Sequence, residues 1–583
     1  MSYTENDLRG GDNIKDESNR DSGLPDSSDS PVTEEKGDND LEKQESEHEN
    51  EISQGEMEDN LPVLPEKSAT QNLKSIVLCF FIAFGGFIFG YDTGTISGFT
   101  NMPVYQDMFK LLNAEGASKT YKVGLIVSIF NVGCAFGCLF FSKIADLRGR
   151  RVGMMAAVLI YVVGIIIQIA SQNSSKSWIE IVIGRLISGF GVGTISVLSP
   201  LFIGEISPKA FRGTLVCCFQ LNVTFGIFMG YCINYATYHE YSDTRQWRIT
   251  LGLSFGWAIL LFTGMVFLPE SPRYLIEKNK LEEAKKSIAT SNSVSSEDPG
   301  VYTEVQMIQA GIEREKIAGN ASWSQLIYGK PKIFMRVLTG VLLQSLQQLT
   351  GNNYFFYYGT TIFQSVGLND SFETSIVLGV VNFASTFLGI YLIDKLGRRL
   401  CLLSGGLSMM VALLIYSVLG TVGDVTNPEK KPRGDAMIFI TTLFIFCFAS
   451  TWAGGVYSII SEIYPLRIRS KGMSVATAAN WTWGFLISFF TTPITGSIHF
   501  AFGFVFFGCV VFGTIFTFLF VYETKGLSLE EVDQLYASGI PAWRSSTWTP
   551  PSKHDMAFTT GYAADAKPEE ERKEQLPEEE REE

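Results

Sequence analysis

The chain has 583 residues, of which 46% are apolar and 44 are Phe, and it carries a formal net charge of −14. Length alone would allow several soluble domains, but the apolar residues gather in recurrent runs of about 20, the length a helix needs to cross a bilayer, so a purely water-soluble protein is excluded. With four His, no nucleophile elbow, and nine Cys (79, 134, 138, 217, 218, 232, 401, 447, 509) that all fall in apolar segments without metal or redox spacing, covalent and metal-dependent chemistry has no carrier.

Charge is concentrated at the ends of the chain. Residues 1–67 hold 21 acidic and 6 basic side chains, a net of −15, and residues 561–583 hold 10 and 4, a net of −6; subtracting −21 from −14 leaves the middle at +7. Residues 1–73 and 523–583 are therefore expected to be tails, the first a disordered acidic one too poor in apolar residues to build a core.

Twelve apolar segments follow in order, near 75–97, 123–142, 152–171, 178–200, 214–235, 249–268, 334–358, 373–393, 401–420, 436–458, 472–493 and 499–522. The first follows some 73 residues of polar chain and lacks a cleavage pattern, so it reads as a span and not as a signal peptide. It contains Asp92 in "FGYDTGTISG", and an acid inside a membrane helix is costly unless paired or neutral, which marks it as a functional candidate. Between spans come "DLRGRR" (Asp146, Arg150, Arg151), "GEISPKAFRG" (Glu205, Arg212), "PESPR" (Glu270), a long connection over 269–333, "DKLGRR" (Asp394, Arg398, Arg399), "SEIYPLRIRS" (Glu462, Arg469) and "YETKG" (Glu523). If every segment spans, these basic loops share one face with both termini, and the positive-inside bias makes that face cytoplasmic. Asn173 and Asn369 then face outward as possible glycan acceptors. "GFGVG" at 189–193 lies inside an apolar span and is no nucleotide fingerprint.

The seventh segment is unusual. "QSLQQLTGNNYFFYYG" places Gln344, Gln347, Gln348, Asn352 and Asn353 among five aromatic rings. Side-chain amides both donate and accept without carrying charge, so they suit the recognition of a hydroxyl-rich solute in mid-membrane. At 100° per residue Gln344, Gln348 and Asn352 fall within ~80° of one another, but Gln347 and Asn353 do not, so a regular helix would not aim all five inward. Gly351 between them predicts a broken turn, tolerated at that depth where it lines a cavity.

The loops also repeat. "DLRGRR" returns as "DKLGRR" at an offset of 394 − 146 = 248, Glu205 and Arg212 return as Glu462 and Arg469 at 257, and Glu270 returns as Glu523 at 253. Near-constant spacing predicts an all-α membrane protein of twelve transmembrane helices in two pseudo-symmetric six-helix bundles, 74–268 and 334–522, joined by the 269–333 linker.

"GRR" after the second and eighth segments, "PESPR", "ETKG" and "QQLTGNNYFFYYGT" together resemble the sugar porter family of the major facilitator superfamily over about residues 75–540, and "VVNFASTF" with "ANWTWGFLISFFTTPITG" is similar to fungal hexose transporters. The resemblance implies a plasma-membrane carrier of glucose-like sugars with the major facilitator fold, four short helices in the linker and no cofactor; its partners would be a hexose and the bilayer, not nucleic acid. Residue by residue, it implies sugar contacts at Gln220, Ile227, Gln347, Gln348, Asn353, Asn382, Tyr457, Asn480 and Trp481, with Tyr357 and Tyr358 as an outer gate. Segment ten departs from the family in having Gly454 and Gly455 where relatives often carry Pro, which implies a softer hinge.

The charged loop residues of the two halves are expected to latch the inner faces together in one state and part in the other. Asp92 with Arg185 in "IGRLISGFGVG" resembles the pair of proton-coupled sugar porters, yet fungal facilitators also carry the acid. Facilitated diffusion is the favoured reading, proton symport the alternative. A non-transporting glucose sensor is a further alternative, disfavoured because only about 45 residues follow "LEEVDQLY".

Overall fold

In hydrocarbon a backbone must satisfy its own polar groups, and the predicted apolar runs do so as helices. The computed structural model describes residues 69–109, 117–172, 177–207, 212–317, 323–329, 332–356, 371–422, 431–465, 468–527 and 529–549, and among these there is no strand. All of them fall in one compact unit, 64–583. The acidic N-terminal stretch, Asn173, Asn369, Tyr357 and Tyr358 lie outside the described residues.

The first half comprises α1 (Ala69–Ala83), α2 (Gly85–Phe99), α3 (Pro103–Met108), α4 (Ala117–Phe136), α5 (Lys143–Arg148), α6 (Arg150–Ala170), α7 (Ser177–Ile206), α8 (Arg212–Glu240) and α9 (Arg245–Phe267). The linker forms α10 (Pro272–Glu277), α11 (Leu281–Asn292), α12 (Pro299–Ile317) and α13 (Gln325–Tyr328). Its α10, α11 and α12 share a small core of Leu275, Ile276, Ala284, Ile288, Val301, Val305 and Ile312. The second half holds α14 (Ile333–Leu349), α15 (Ser371–Leu396), α16 (Arg398–Thr421), α17 (Lys431–Ser450), α18 (Trp452–Glu462), α19 (Arg469–Ile498) and α20 (Phe502–Phe520), and α21 (Leu529–Ala537) follows.

Ten helices among the described residues are long and apolar enough to cross a membrane. The two remaining predicted spans are helical as well. Segment seven is interrupted: α14 stops at Leu349, Gly351 takes φ +86°, and the chain is helical again at 352–356. Segment eleven, α19, runs 30 residues but is diluted by Asn, Ser, Thr, Gly and Trp. The exposed faces of the apolar helices carry Leu159, Ile259, Leu407, Val411 and Phe512, as surfaces that meet acyl chains should.

Packing explains how polar interiors fit between these helices. Along α2, Gly86, Gly90, Gly94 and Gly98 recur every fourth residue on the face against α8, where a Cβ at Gly90 would come within 1.9 Å of Val223 O. The halves meet where α4 packs on α19 and α8 on α15. Segment ten breaks at Thr451 (φ −135°, ψ −71°), before the two glycines expected to soften it. Gly454 and Gly455 sit inside α18 with neighbours no nearer than 3.4 and 3.2 Å to an added Cβ, and the irregular backbone falls at Thr451.

Candidate functional site

The break at Gly351 turns the polar residues of segment seven toward the middle of the molecule. There a cavity with about 590 Å³ of atom-free space, counting the solvent it opens onto, is lined by Gln220, Ile227, Gln347, Gln348, Asn353, Asn382, Tyr457, Asn480 and Trp481. All nine positions singled out in the sequence for contact thus border one cavity. Its wall also includes Phe89, Thr93, Asn352 and Phe448, which the comparison of motifs missed. Phe89 and Thr93 are four residues apart on α2 and so share one helix face, the spacing that could have found them.

Asn480 is the hub of the amide set. Its Nδ2 donates to Gln344 Oε1 at 2.6 Å and Gln347 Oε1 at 2.9 Å, while its Oδ1 accepts from Gln348 Nε2 at 2.7 Å. Asn353 Nδ2 donates in turn to Gln348 Oε1. Gln347 Nε2 donates to the carbonyls of Trp452 and Ala453, at 3.0 and 3.1 Å, in the first turn of α18. Gln344 is wholly buried and, alone of the five clustered amides, lies off the cavity wall. In contrast, the side-chain amides of Gln220 and Asn382 have no protein partner among the described residues, and Asn352 Oδ1 is buried without one. Unpaired amides beside a cavity are acceptors and donors kept available for a ligand.

Apolar surface completes the wall. Trp481 meets Phe89 edge-on at 4.8 Å, Phe219 lies 6.2 Å from Tyr457, and Phe356 and Phe448 border the same space. Tyr231 Oη donates to Phe356 O at 3.1 Å, tying α8 to the restarted segment seven.

Asp92 and Arg185 form an ion pair at 3.2 Å with both side chains 2% exposed. They lie next to the cavity wall and do not line it, which matches the expectation of pairing. Desolvating two charges can cost as much as their attraction returns, so the pair is weak support for stability.

The repeated loop charges are arranged differently from expectation. Arg150 grips Glu205 through Nε and Nη2, nearest contact 3.0 Å, and touches Asp146 at 3.3 Å. Arg398 repeats this with Glu462 at 2.9 Å and Asp394 at 3.5 Å. Glu270 accepts the backbone N–H groups of Arg150 and Arg151, at 2.8 and 3.1 Å, and Glu523 those of Arg398 and Arg399, at 2.9 and 3.0 Å. Each acid thus caps the N-terminus of a helix that starts after a glycine with positive φ, Gly149 at +103° and Gly397 at +92°. Burial pushes the Glu270 carboxyl up from its ordinary value, against the pull of these N–H groups and of Arg150. The Arg151 and Arg399 guanidinium groups donate to the carbonyls of Leu268 and Phe518, not to acids. These contacts join the loops of a bundle to one another and to the segment that directly follows it, so they brace each end of the molecule locally. Between the halves, among these loop residues, Thr214 hydrogen-bonds Asp394 and the Arg469 guanidinium approaches Gly204, where an added Cβ would meet Nη2 at 2.7 Å. Arg212 lies in α8, but its side chain is outside the described set.

A further ion pair had no forecast in the sequence. Arg336, fully buried near the start of α14, pairs with Asp533 of α21 and stacks over Tyr536 at 4.3 Å. Ser545 Oγ accepts from Glu523 N at 2.9 Å, so the chain beyond the last span is seated on the same loops.

The family model for sugar (and other) transporters matches residues 78–536. The high-affinity hexose transporter HXT6 of Saccharomyces cerevisiae is 53% identical over 512 residues, covering 86% of this chain and 89% of that protein. Hexose transporter 2 of Kluyveromyces lactis is 53% identical over 511 residues with the same coverage, and the low-affinity glucose transporter HXT4 of S. cerevisiae is 52% identical over 516 residues, 88% of each. Among solved structures, the proton:xylose symporter XylE bound to 6-bromo-6-deoxy-D-glucose superposes with a TM-score of 0.69 at 27% identity, covering 80% of this chain and 100% of that one.

Proposed function

The chain belongs to the sugar (and other) transporter family, and from that premise we propose that it carries hexoses across the plasma membrane by alternating access, as facilitated diffusion. It is a multi-pass membrane transporter and not an enzyme. The moving parts are the bundles 74–268 and 334–522, linked through 269–333, with both termini on the cytoplasmic, arginine-rich face.

The observation that carries this reading is the amide net centred on Asn480, with the unpartnered amides of Gln220 and Asn382 on the cavity wall it borders. A hexose sheds water from several hydroxyls on entry, and each one left unpaired costs ~1–3 kcal/mol by mutational scales. Uncharged amides replace that water without the larger penalty of a charge at mid-membrane. The rings of Phe89, Phe448 and Trp481 offer apolar surface to the C–H faces. Because the wall draws on both bundles, a tilt of one against the other opens the cavity to either side in turn.

Proton symport is the second reading, favoured by the buried Asp92–Arg185 pair. Uptake of labelled glucose into cells lacking their own hexose carriers, with and without an uncoupler, decides. A facilitator equilibrates sugar at the same rate in both conditions. Accumulation above the external level that collapses with uncoupler would establish symport, and absence of any uptake would overturn both readings.

A further inference from the structure

Trp481 belongs to α19 in the second half, yet residues of the first half hold its ring. Phe89 on α2 meets it edge-on at 4.8 Å and 66°, Phe130 on α4 at 6.3 Å and 81°, and its Nε1–H donates to Ser196 Oγ on α7 at 3.3 Å. The buried ion pair is built on two of the same helices. Asp92 stands three residues beyond Phe89 on α2, and Arg185 stands eleven residues before Ser196 on α7.

Phe130 touches both systems. The Arg185 guanidinium sits over its ring at 5.1 Å, and the ring is packed against Trp481. Arg185 Nε is buried with no acceptor among the described residues, so the ring answers a part of the guanidinium that Asp92 does not. An aromatic face attracts a cation while the ring edge favours a neighbouring π-surface, so the two contacts together fix the tilt of Phe130. Phe130, Trp481, Asp92 and Arg185 are each at most 3% exposed, which leaves little room for a different arrangement.

We propose that Phe130 is a positioning residue that ties the Asp92–Arg185 pair to the tryptophan wall of the cavity, so that the geometry of the pair sets how tightly hexose is held. The inference rests on the hexose reading of the cavity. When Arg185 shifts relative to Asp92, the ring of Phe130 loses the cation that orients it, and Trp481 loses one of its two edge-on supports. Asn480, the adjacent residue on α19, carries the displacement into the amide net.

The test is counterflow of labelled glucose in liposomes containing the purified full-length chain. Phe130→Leu keeps apolar bulk and removes the ring; it should raise the half-saturation roughly three- to tenfold while maximal flux stays within about twofold. Phe130→Tyr retains the ring and should behave as the unaltered protein. Combining Phe130→Leu with Asp92→Asn should give a half-saturation no higher than that of the more affected single variant, because both changes cut the same connection. An unchanged half-saturation in Phe130→Leu overturns the inference, as do equal effects of Leu and Tyr, or effects that multiply in the double variant. If Phe130→Leu does not reach the membrane, Phe130→Met carries the same comparison. Failure of the unaltered protein to exchange glucose defeats the proposed function itself and takes this inference with it.

Discussion

Asn480 donates to two side-chain oxygens and accepts from a third amide, whereas Asn382 borders the same cavity with no protein partner. The two should therefore respond differently to truncation. Asn480→Ala strands Gln344, Gln347 and Gln348 at once, and at ~1–3 kcal/mol per unpaired group it should lower the melting temperature of the purified protein and raise the half-saturation for glucose about tenfold or more. Asn382→Ala removes an amide that borders the cavity and holds no protein group in place. Half-saturation should rise several-fold while the melting temperature stays within a degree or two, as differential scanning fluorimetry and uptake would show; equal thermal losses in both variants would contradict the division. The amides were legible in the sequence because polar groups in an apolar run need a reason. Their division of labour was not, since it depends on where the chain turns at Gly351 and on how the first turn of α18 sits beside Gln347. The loop acids were legible as a repeat but not as helix caps, because spacing says nothing about which N–H groups lie within reach.

At the level of helices, close approach is set by the smallest residues. Gly90 admits the α8 backbone so closely that a methyl group would fall 1.9 Å from Val223 O, while a Cβ at Gly256 on α9 meets nothing within 4 Å. Gly90→Ala should force α2 from α8 and cost ~1–3 kcal/mol or more, read as loss of surface expression and of thermal stability. Gly256→Ala should be silent in both assays. The number and order of helices followed from apolar length, a signal that bilayer thickness makes strong. The four-residue glycine period passed without remark because glycine also reads as a helix weakener, and only the neighbouring backbone distinguishes the two roles. In segment ten, where Gly454 and Gly455 stand in place of Pro, both glycines fit an ordinary helix and the irregular backbone falls at Thr451.

For the whole molecule, the twofold repeat was visible in three loop motifs, and the structure gives each half the same device: an arginine gripping an acid while a second acid caps the following helix. The coupling of sugar to protons is a property at this scale. In a facilitator Asp92→Asn should leave maximal downhill flux within a few-fold, whereas in a symporter it should abolish uphill accumulation; uptake into energised and de-energised cells separates the outcomes. The division of the twelve segments into ten strongly apolar helices and two that are broken or polar has a cost during biosynthesis. Side chains that welcome sugar are poor passengers for a translocon, so α14 and α19 should partition weakly into the bilayer as nascent segments taken singly. Fused one at a time to a glycosylation-mapping reporter, they should integrate less completely than α16 or α20, and gain efficiency when their native neighbours are supplied. Ribosomes making this chain would then release the second half as a cooperative assembly, in which the wettest helices enter lipid only in the company of the greasiest.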